Sequence, residues 1–401
     1  MKRMQRRIRP AIAGLFVTTA ALAALQEPHA APAARVHTVR VPDGGIQPQA
    51  LVDGRGVLHL LYFSGEPRAG DLFYVRSTDF GATFSTPVKV NSQSGSAIAT
   101  GTIRGGHFAI GRGGRVHVAW NGSDTAAPRA SGAGLEKYQT APFLYTRSNA
   151  EGTAFEAQRN LVQRTHSIDG GGAIAADAAG RVYAVWHAGL VGGSADEEQR
   201  RVWISRSDND GATFTTEQPV SNASTGVCGC CGLQAIAHPK YGLWLLYRSA
   251  TQKTHRDVYV LGSTDGGRTF AESRVHRWDL NACPMTSMAL AGEDRLLGAW
   301  ETAGQVYFGA LDTSSARIPS PITAPNETGG RKHPRVAVAP NGDTLLLWTE
   351  GMGWAKGGSL AWQAFDAKDK PLADRGAAPG VPVWSFGAVV AKPNGEFVIL
   401  Y

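Results

Sequence analysis

An all-β fold, a β-propeller of four-stranded blades, is what this sequence predicts, and three observations predict it. A two-strand unit recurs seven times along the chain. A third apolar strand follows most copies, and four of those third strands run into one common turn motif. Repetition of a small β unit at this spacing is the signature of blades set around an axis.

The chain opens on a segment outside that fold. Lys2, Arg3, Arg6, Arg7 and Arg9 precede an apolar run from Ala11 to Leu25, the pattern of an export signal and too short to span a membrane. We assign residues 1–34 to a signal peptide, cleaved at one of the small-residue sites between Ala21 and Ala34, and residues 35–401 to the propeller. Arg6-Arg7 admits twin-arginine export, although general secretion needs nothing beyond what is present. The expected location is periplasmic or secreted, with no transmembrane anchor once the signal is removed. The leader carries five basic residues and Glu27, so the formal charge of +7 falls to +3 without it. So small a balance gives no basis for nucleic-acid or membrane binding. With 401 residues, 43% hydrophobic and 18% charged, the composition is globular, and 49 glycines and 21 prolines suit many short strands joined by tight turns.

Each repeat is a short apolar run, a turn containing Gly, Asp or Asn, and an alternating run ending in an aromatic residue. The copies span 50–63, 108–120, 173–186, 235–247, 289–300, 336–348 and 388–401. Alternation marks strands with one face buried, and the turn residues supply the backbone angles a hairpin needs. Third strands follow in DLFYVRS, PFLYTRS, RVWISRS, DVYVLGS and QVYFGAL. Seven hairpins predict seven blades; a six-bladed ring with one hairpin outside it is the alternative. The last hairpin has no third strand after it, and VHTVRV at 36–41 is placed to supply an outer strand and close the ring.

The turn motif appears at 77–84 (STDFGATF), 148–155 (SNAEGTAF), 207–214 (SDNDGATF) and 263–270 (STDGGRTF). Its template is Ser-x-Asp-x-Gly-x-Thr-Phe. The Asp accepts turn amides, the Gly supplies a positive φ and the Phe fills the space between strands. Asp79 and Asp265 complete two copies, whereas Ala150 and Asn209 stand at the Asp position of the others. The motif resembles the Asp-box, or BNR repeat, of sialidase-like propellers, across essentially all of 35–401. That resemblance implies that Asp79 and Asp265 hold turns together and are not catalytic.

Strand alternation assigns the two faces. With strands A to D counted outward from the axis, the A–B turns and the Asp boxes share one face. The B–C loops and the crossovers between blades share the other, where the resemblance places an active site. Arg104, His107, His166, Asp169, Cys228, Cys230, Cys231, Cys283, Arg331, Lys332, His333 and Arg335 reach that face before A strands. Asn121, His187, Arg248, Glu301 and Glu350 reach it after B strands. Any one of them is more simply a solvated loop residue; the density of the set is what points to a ligand.

Resemblance to sialidases implies three arginines on a sugar carboxylate, because a guanidinium bonds both carboxylate oxygens. It also implies a tyrosine nucleophile activated by a glutamate, and an aspartate acid/base. Arg104, Arg248 and Arg335, with His333, are the substrate-binding candidates. Glu301, Glu350 and Tyr247 are the catalytic candidates. The chain departs from the family in lacking its Phe/Tyr-Arg-Ile-Pro motif in residues 36–70. The expectation is an exported propeller that recognises a glycan at its rim, as a monomer. Any enzymatic activity would be that of an exo-sialidase-type glycoside hydrolase.

The four cysteines precede strand A of the fourth and fifth repeats, so they meet on one rim. In an exported chain four cysteines read as two disulfides, with Cys228 or Cys231 joined to Cys283 and the remaining two paired together. The competing reading is a thiolate site for Cu or Zn, since soft ligands select such ions, with His107, His166, His187, His255 or His333 as a further ligand. In that case the protein is a non-catalytic propeller binding a metal or partner protein through a cysteine-lined rim. No other cofactor is expected. A Cys-x-Cys-Cys before one blade and an Ala-Cys-Pro before the next also resemble a branch of sialidase-like bacterial proteins without an assigned activity.

Gly170-Gly171-Gly172 reads as close packing, because no helix follows to make a phosphate loop. The insertion over 121–140 reads as a loop, with a lid over the rim as the alternative. Trp120, Trp186, Trp300 and Trp348 read as packing between blades. Trp354 and Trp384 lie in loops of the ligand-binding face, as a stacking platform for a sugar.

Overall fold

The structure is a computed structural model that describes Met1 and residues 35–401, except 133, 139, 140, 293, 327 and 328; the rest of the assigned signal peptide lies outside the described residues. Alternating apolar residues fold every repeat into an antiparallel A–B hairpin, and the remaining strands add outward. Blade 1 is Ile46–Val52, Leu58–Glu66, Ala69–Ser77 and Val88–Lys89; blade 2 is His107–Ile110, Val116–Asn121, Phe143–Arg147 and Arg159–Asn160. Blade 3 is Gly172–Ala176, Val182–Leu190, Arg201–Ser207 and Gln218–Pro219, with Thr165–His166 as an extra short strand on Val182–Leu190. Blade 4 is Gln234–His238, Gly242–Arg248, Val258–Ser263 and Ala271–His276; blade 5 is Met288–Ala291, Leu297–Thr302, Gln305–Ala310 and Ile322–Thr323. Blade 6 is Lys332–Val338, Thr344–Glu350, Gly358–Phe365 and Pro371–Val381.

Blade 7 joins the two ends of the propeller. Its hairpin is Ala388–Ala391 and Phe397–Leu400, and its third strand is Val36–Val39, paired parallel to Phe397–Leu400 with Val36 opposite Phe397. The ring therefore has seven blades, not the six of the alternative. Seven apolar clusters fill the gaps between neighbours. Leu61, Phe63 and Tyr74 of blade 1, for example, pack on Phe108, Val118 and Trp120 of blade 2. The last cluster sets Val390, Val398 and Leu400 against Leu58, Leu60 and Tyr62. Trp120, Trp186 and Trp300 are fully buried at the ends of their B strands, as expected. Burying a side chain of that size stabilises a fold by about 1.5–3 kcal/mol.

The Asp boxes are self-contained. Asp79 Oδ1 accepts the Thr83 amide at 2.9 Å and Oδ2 accepts the Thr83 hydroxyl at 2.6 Å, while the Gly81 amide donates to Ser77 Oγ at 2.7 Å. Asp265 repeats the pattern with Thr269, whereas Asn209 accepts the Thr213 amide and donates its own amide to the Thr213 hydroxyl, both at 2.9 Å. These bonds stabilise the ionised form and hold the Asp79 carboxyl down to about 2. The second box differs from its alignment. Asn149, one residue before Ala150, accepts the Thr153 amide at 2.8 Å and donates to its hydroxyl at 2.9 Å. The acceptor and its threonine have both shifted by one position and keep their spacing of four.

Of the 121–140 insertion, Ala126 packs between blades 1 and 2 and Leu135–Tyr138 lies against blade 3. Leu135 is buried, Tyr138 stacks on His166 with ring centroids 3.9 Å apart, and its hydroxyl accepts the Gly192 amide at 2.8 Å. No helix among the described residues is long and apolar enough to cross a membrane.

Candidate functional site

Crossovers between blades bring the candidate residues to one rim, where a cleft of about 250 Å³ opens beside the axis. Its walls include Lys332, His333, Trp354 and Trp384 from blade 6 and the crossover after it. Thr102, Cys283 and Met285 come from the crossovers into blades 2 and 5. Trp354 is 63% exposed, and its ring meets Trp384 edge to face at 6.2 Å. Next to the cleft, Gln49, His107, Gln234, Ser287 and Arg335 contribute one side chain each, from five blades, around a water-sized axial void.

Glu301 anchors the cleft floor from within. It is buried at the end of its B strand, with Oε1 accepting from Lys332 Nζ at 3.0 Å and Oε2 accepting the His333 amide at 2.7 Å. His333 sits at φ 54, in the left-handed region where few side chains go, and this amide bond to a buried carboxylate helps hold it there. Its ring is fixed on both sides, by Thr349 Oγ1 at 2.8 Å and Thr102 Oγ1 at 3.0 Å. Burial drives its pKa well below the ordinary histidine value, with the Lys332 and Arg335 charges adding to the effect, so the ring is neutral. His107 is pushed down to about 3 by burial and by Arg335.

The three arginines separate in role. Arg104 is spent on Asp169, with Nη2 2.5 Å from Oδ1 and Nε donating to the Asp169 carbonyl at 2.9 Å. Arg248 is fully buried: it donates to Thr286 Oγ1 at 2.7 Å and to the carbonyls of Arg256 and Glu301, and it lies over the Trp278 ring. It ties blade 4 to blade 5 through neutral acceptors and presents nothing to solvent. Arg335 has no carboxylate within ion-pair distance among the described residues. It lies over Phe386 at 4.3 Å, donates to the Pro334 carbonyl at 2.9 Å and lines the axial void, and burial lowers its pKa to about 10.

Nor do the catalytic candidates converge. Tyr247 is buried between blades 3 and 4, its hydroxyl 2.9 Å from both Thr225 Oγ1 and the Glu272 Oε1 acceptor. Glu350 accepts from Trp348 Nε1 at 2.8 Å and pairs with Arg331 at 3.2 Å. Glu301 contacts no tyrosine hydroxyl among the described residues, so the geometry assembles no tyrosine–glutamate pair from these three. Sequence reading did not foresee Thr102, Met285 or Met352 in the cleft. They follow from loop conformation, and no residue pattern signals it.

The cysteines do meet on one rim, with a pairing different from either one expected. Cys230 is bonded to Cys283, Cα atoms 6.3 Å apart, and Cys228 and Cys231 are the free pair. The loop decides this. The Gly229 amide donates to Glu197 Oε1 at 2.5 Å and the Gly229 carbonyl accepts the Gly170 amide at 2.7 Å, which fixes the turn. Cys228 and Cys231 thereby face each other, with sulfurs 2.7 Å apart. Gly170 and Gly171 have the close-packing role: a Cβ on Gly170 would lie 2.8 Å from the Gly229 carbonyl oxygen. Burial alone would raise the Cys231 thiol. The Cys228 hydrogen bond, the Arg248 charge and the Thr286 hydroxyl outweigh that and bring it to about 7. Cys228, its donor, is pushed up. Cys228, Cys230 and Cys231 are buried and only Cys283 is exposed, so three of the four cysteines form a knot beneath the rim and Cys283 lines the cleft. Among the histidines proposed as ligands, His187 alone touches the knot, through its Nε2 and the Cys231 carbonyl at 3.1 Å.

No family model matches the sequence, and no curated protein matches it. Solved structures do. A protein of unknown function from Dyadobacter fermentans is 14% identical with a TM-score of 0.52, over 79% of this chain and 93% of that one. The Hadza microbial sialidase is 12% identical with a TM-score of 0.50, over 81% of this chain and 70% of that one. An α-L-arabinanase from Penicillium chrysogenum is 12% identical with a TM-score of 0.46, over 82% of this chain and 96% of that one. At such identities a likeness speaks for architecture alone, and the two structures with TM-scores of 0.52 and 0.50 agree with what the seven blades show, that this chain is in fold a β-propeller.

Proposed function

We propose that this is an exported, monomeric glycan-recognition propeller whose ligand lies in the rim cleft. The observation that carries the reading is the pair of edge-to-face indoles, one of them largely exposed, above a floor of Lys332 and His333. Indole faces stack on the C–H faces of sugar rings, and an ammonium beside them suits an acidic sugar. Lys332 keeps donor capacity beyond its bonds to Glu301 and Pro284.

Recognition without hydrolysis is the better-supported form of this role. Among the described residues, none that lines the cleft is a carboxylate or a tyrosine, and glycoside cleavage needs an acid and a nucleophile or base against the bond. Tryptophan fluorescence titrated with a panel of sialosides and neutral oligosaccharides tests the reading. At least one glycan class should quench emission saturably, and Trp354→Ala should abolish the response. Silence across the panel, or an unchanged response in the variant, overturns it. Release of fluorophore from a sialoside substrate, lost in Glu301→Gln, would replace binding with catalysis.

A further inference from the structure

The knot of sulfurs carries an inference separate from the glycan reading. The Sγ atoms of Cys228, Cys230 and Cys231 all lie within 4.8 Å of one another. Cys230 is committed to Cys283, which leaves Cys228 and Cys231 as a buried Cys-x-x-Cys dithiol. Met285 packs against the cluster of Cys228, Cys230 and Cys231 and also lines the cleft. Beyond the leader the sequence has three methionines, Met285, Met288 and Met352, and two of them line this one cleft beside Cys283. The result is a concentration of soft donors: a thioether and a disulfide sulfur on the cleft wall, a second thioether opposite, and two thiols directly behind.

Thiolate and thioether ligands select Cu(I) over harder ions, whereas zinc sites are closed by four nitrogen or sulfur ligands that this dithiol does not supply. Charge points the same way. The guanidiniums of Arg248 and Arg256 act on both sulfurs, and that of Arg200 acts on Cys228. Two thiolates around a univalent ion make a complex of charge −1, which buried cations stabilise. The Arg248 Nε–H to Thr286 hydroxyl to Cys231 sulfur chain, at 2.7 and 3.3 Å, fixes one ligand in place from outside the metal position.

We propose that Cys228 and Cys231 form a buried binding site for a cuprous ion, with Met285 as the adjacent soft donor and the wall of Cys283, Met285 and Met352 as the route from the cleft. Binding forms two Cu–S bonds and breaks two S–H bonds. Two protons leave to solvent, copper stays Cu(I), and the Cys230–Cys283 disulfide is untouched. Metal–sulfur bonds of about 2.3 Å require the two sulfurs to move apart from their present contact, which rotation of one cysteine side chain provides.

The test is anaerobic titration of the purified chain, disulfide intact, against Cu(I) held by the chelator bicinchoninate. One copper per chain should leave the chelator, native mass spectrometry should find the same count, and X-ray absorption should show sulfur neighbours only. Cys228→Ser and Cys231→Ser should each weaken binding by about tenfold or more, and Met285→Leu by less with the count unchanged. The wild-type measurements need no variant, so a serine variant that fails to fold leaves the test standing. No copper withdrawn from the chelator, uptake unchanged in Cys228→Ser, or peptide mapping that finds Cys228 and Cys231 joined as a second disulfide would each overturn the proposal.

Discussion

The two faces of the propeller hold their polar groups by opposite means. Inside the Asp boxes, the side-chain acceptor serves a donor a few residues away: Asp79 binds Thr83, Asp265 binds Thr269 and Asn149 binds Thr153. On the cleft face, partners come from different blades. Arg248 reaches Thr286 and Glu301, Glu301 reaches Lys332 and His333, and His333 reaches Thr102 across 231 positions of sequence. Cross-blade bonds also reach the Asp-box face, from Arg115 to Asp210 at 2.7 Å and from Arg159 to the Gly211 and Ala212 carbonyls, but each box itself is a local clip, whereas the cleft side is a connected network. The difference teaches that a repeat can be copied blade by blade only where its bonds close within the blade. The side that must differ from blade to blade, to make a site, has to be assembled from long-range contacts.

Breaking the network should cost most. Arg248→Met leaves the Arg256 and Glu301 carbonyls and the Thr286 hydroxyl without their donor, and we expect a loss of about 3 kcal/mol or more in urea unfolding. Its effect should not add to that of Glu301→Gln, since the two residues share one network.

Acid should act next, reaching buried histidines on both faces, His59 and His117 beside the A–B turns and Asp boxes as well as His107 and His333, before it reaches the Asp-box carboxylates. His107 is held down to about 3 and His333 well below its ordinary value, so below the unfolded histidine value of about 6.5 the unfolded chain takes up protons that the native state refuses. Thermal stability should fall as pH drops from about 6.5 toward 4. The Asp boxes respond later. Asp79 is depressed to about 2, so its contribution is complete above the unfolded value of 3.8 and is lost only as pH falls toward 2. Melting curves of Asp79→Asn/Asp265→Asn should therefore reproduce the wild-type decline between pH 6.5 and 4.5. A variant that flattens this decline would show that the Asp boxes and the buried histidines are coupled.

Smaller still are the clips taken singly. Asp79→Ala and Asp265→Ala sit in blades 1 and 4 with no shared partner, so their melting shifts should be modest and additive. Smallest is Trp354→Ala, an exposed ring on the cleft. Its stability should stay within about 0.5 kcal/mol of wild type, whereas glycan binding disappears.

This contrast also explains what the sequence disclosed. All seven hairpins, the turn motif and the closing strand at 36–41 were legible, because alternation and turn chemistry act within a few residues. The displaced Asn149 was legible too, had spacing to the threonine been weighed above spacing to the serine. The tryptophan pair could be placed on the right face, since strand direction fixes where a loop emerges. The disulfide partner could not. Whether Cys228, Cys230 or Cys231 points at Cys283 depends on a Glu197 carboxylate and a Gly170 amide from the preceding blade. Arg248 misled for a related reason. A charged residue at the end of a strand reads as exposed, but this one follows Leu245, Leu246 and Tyr247 into the wedge between two blades, where carbonyls satisfy it.

The parallel pairing of Val36–Val39 with Phe397–Leu400 has a consequence for how the molecule is made. It joins the two ends of the ring, so a growing chain cannot seal the circle until the strand Phe397–Leu400 has appeared. Until then the first strand has no partner, and the inner surfaces of blades 1 and 6 face no neighbour. That delay is a window for mispairing with a second copy, which a chain of so high a contact order crosses slowly. Permutants that move the break into another blade would redistribute the wait without altering the finished ring.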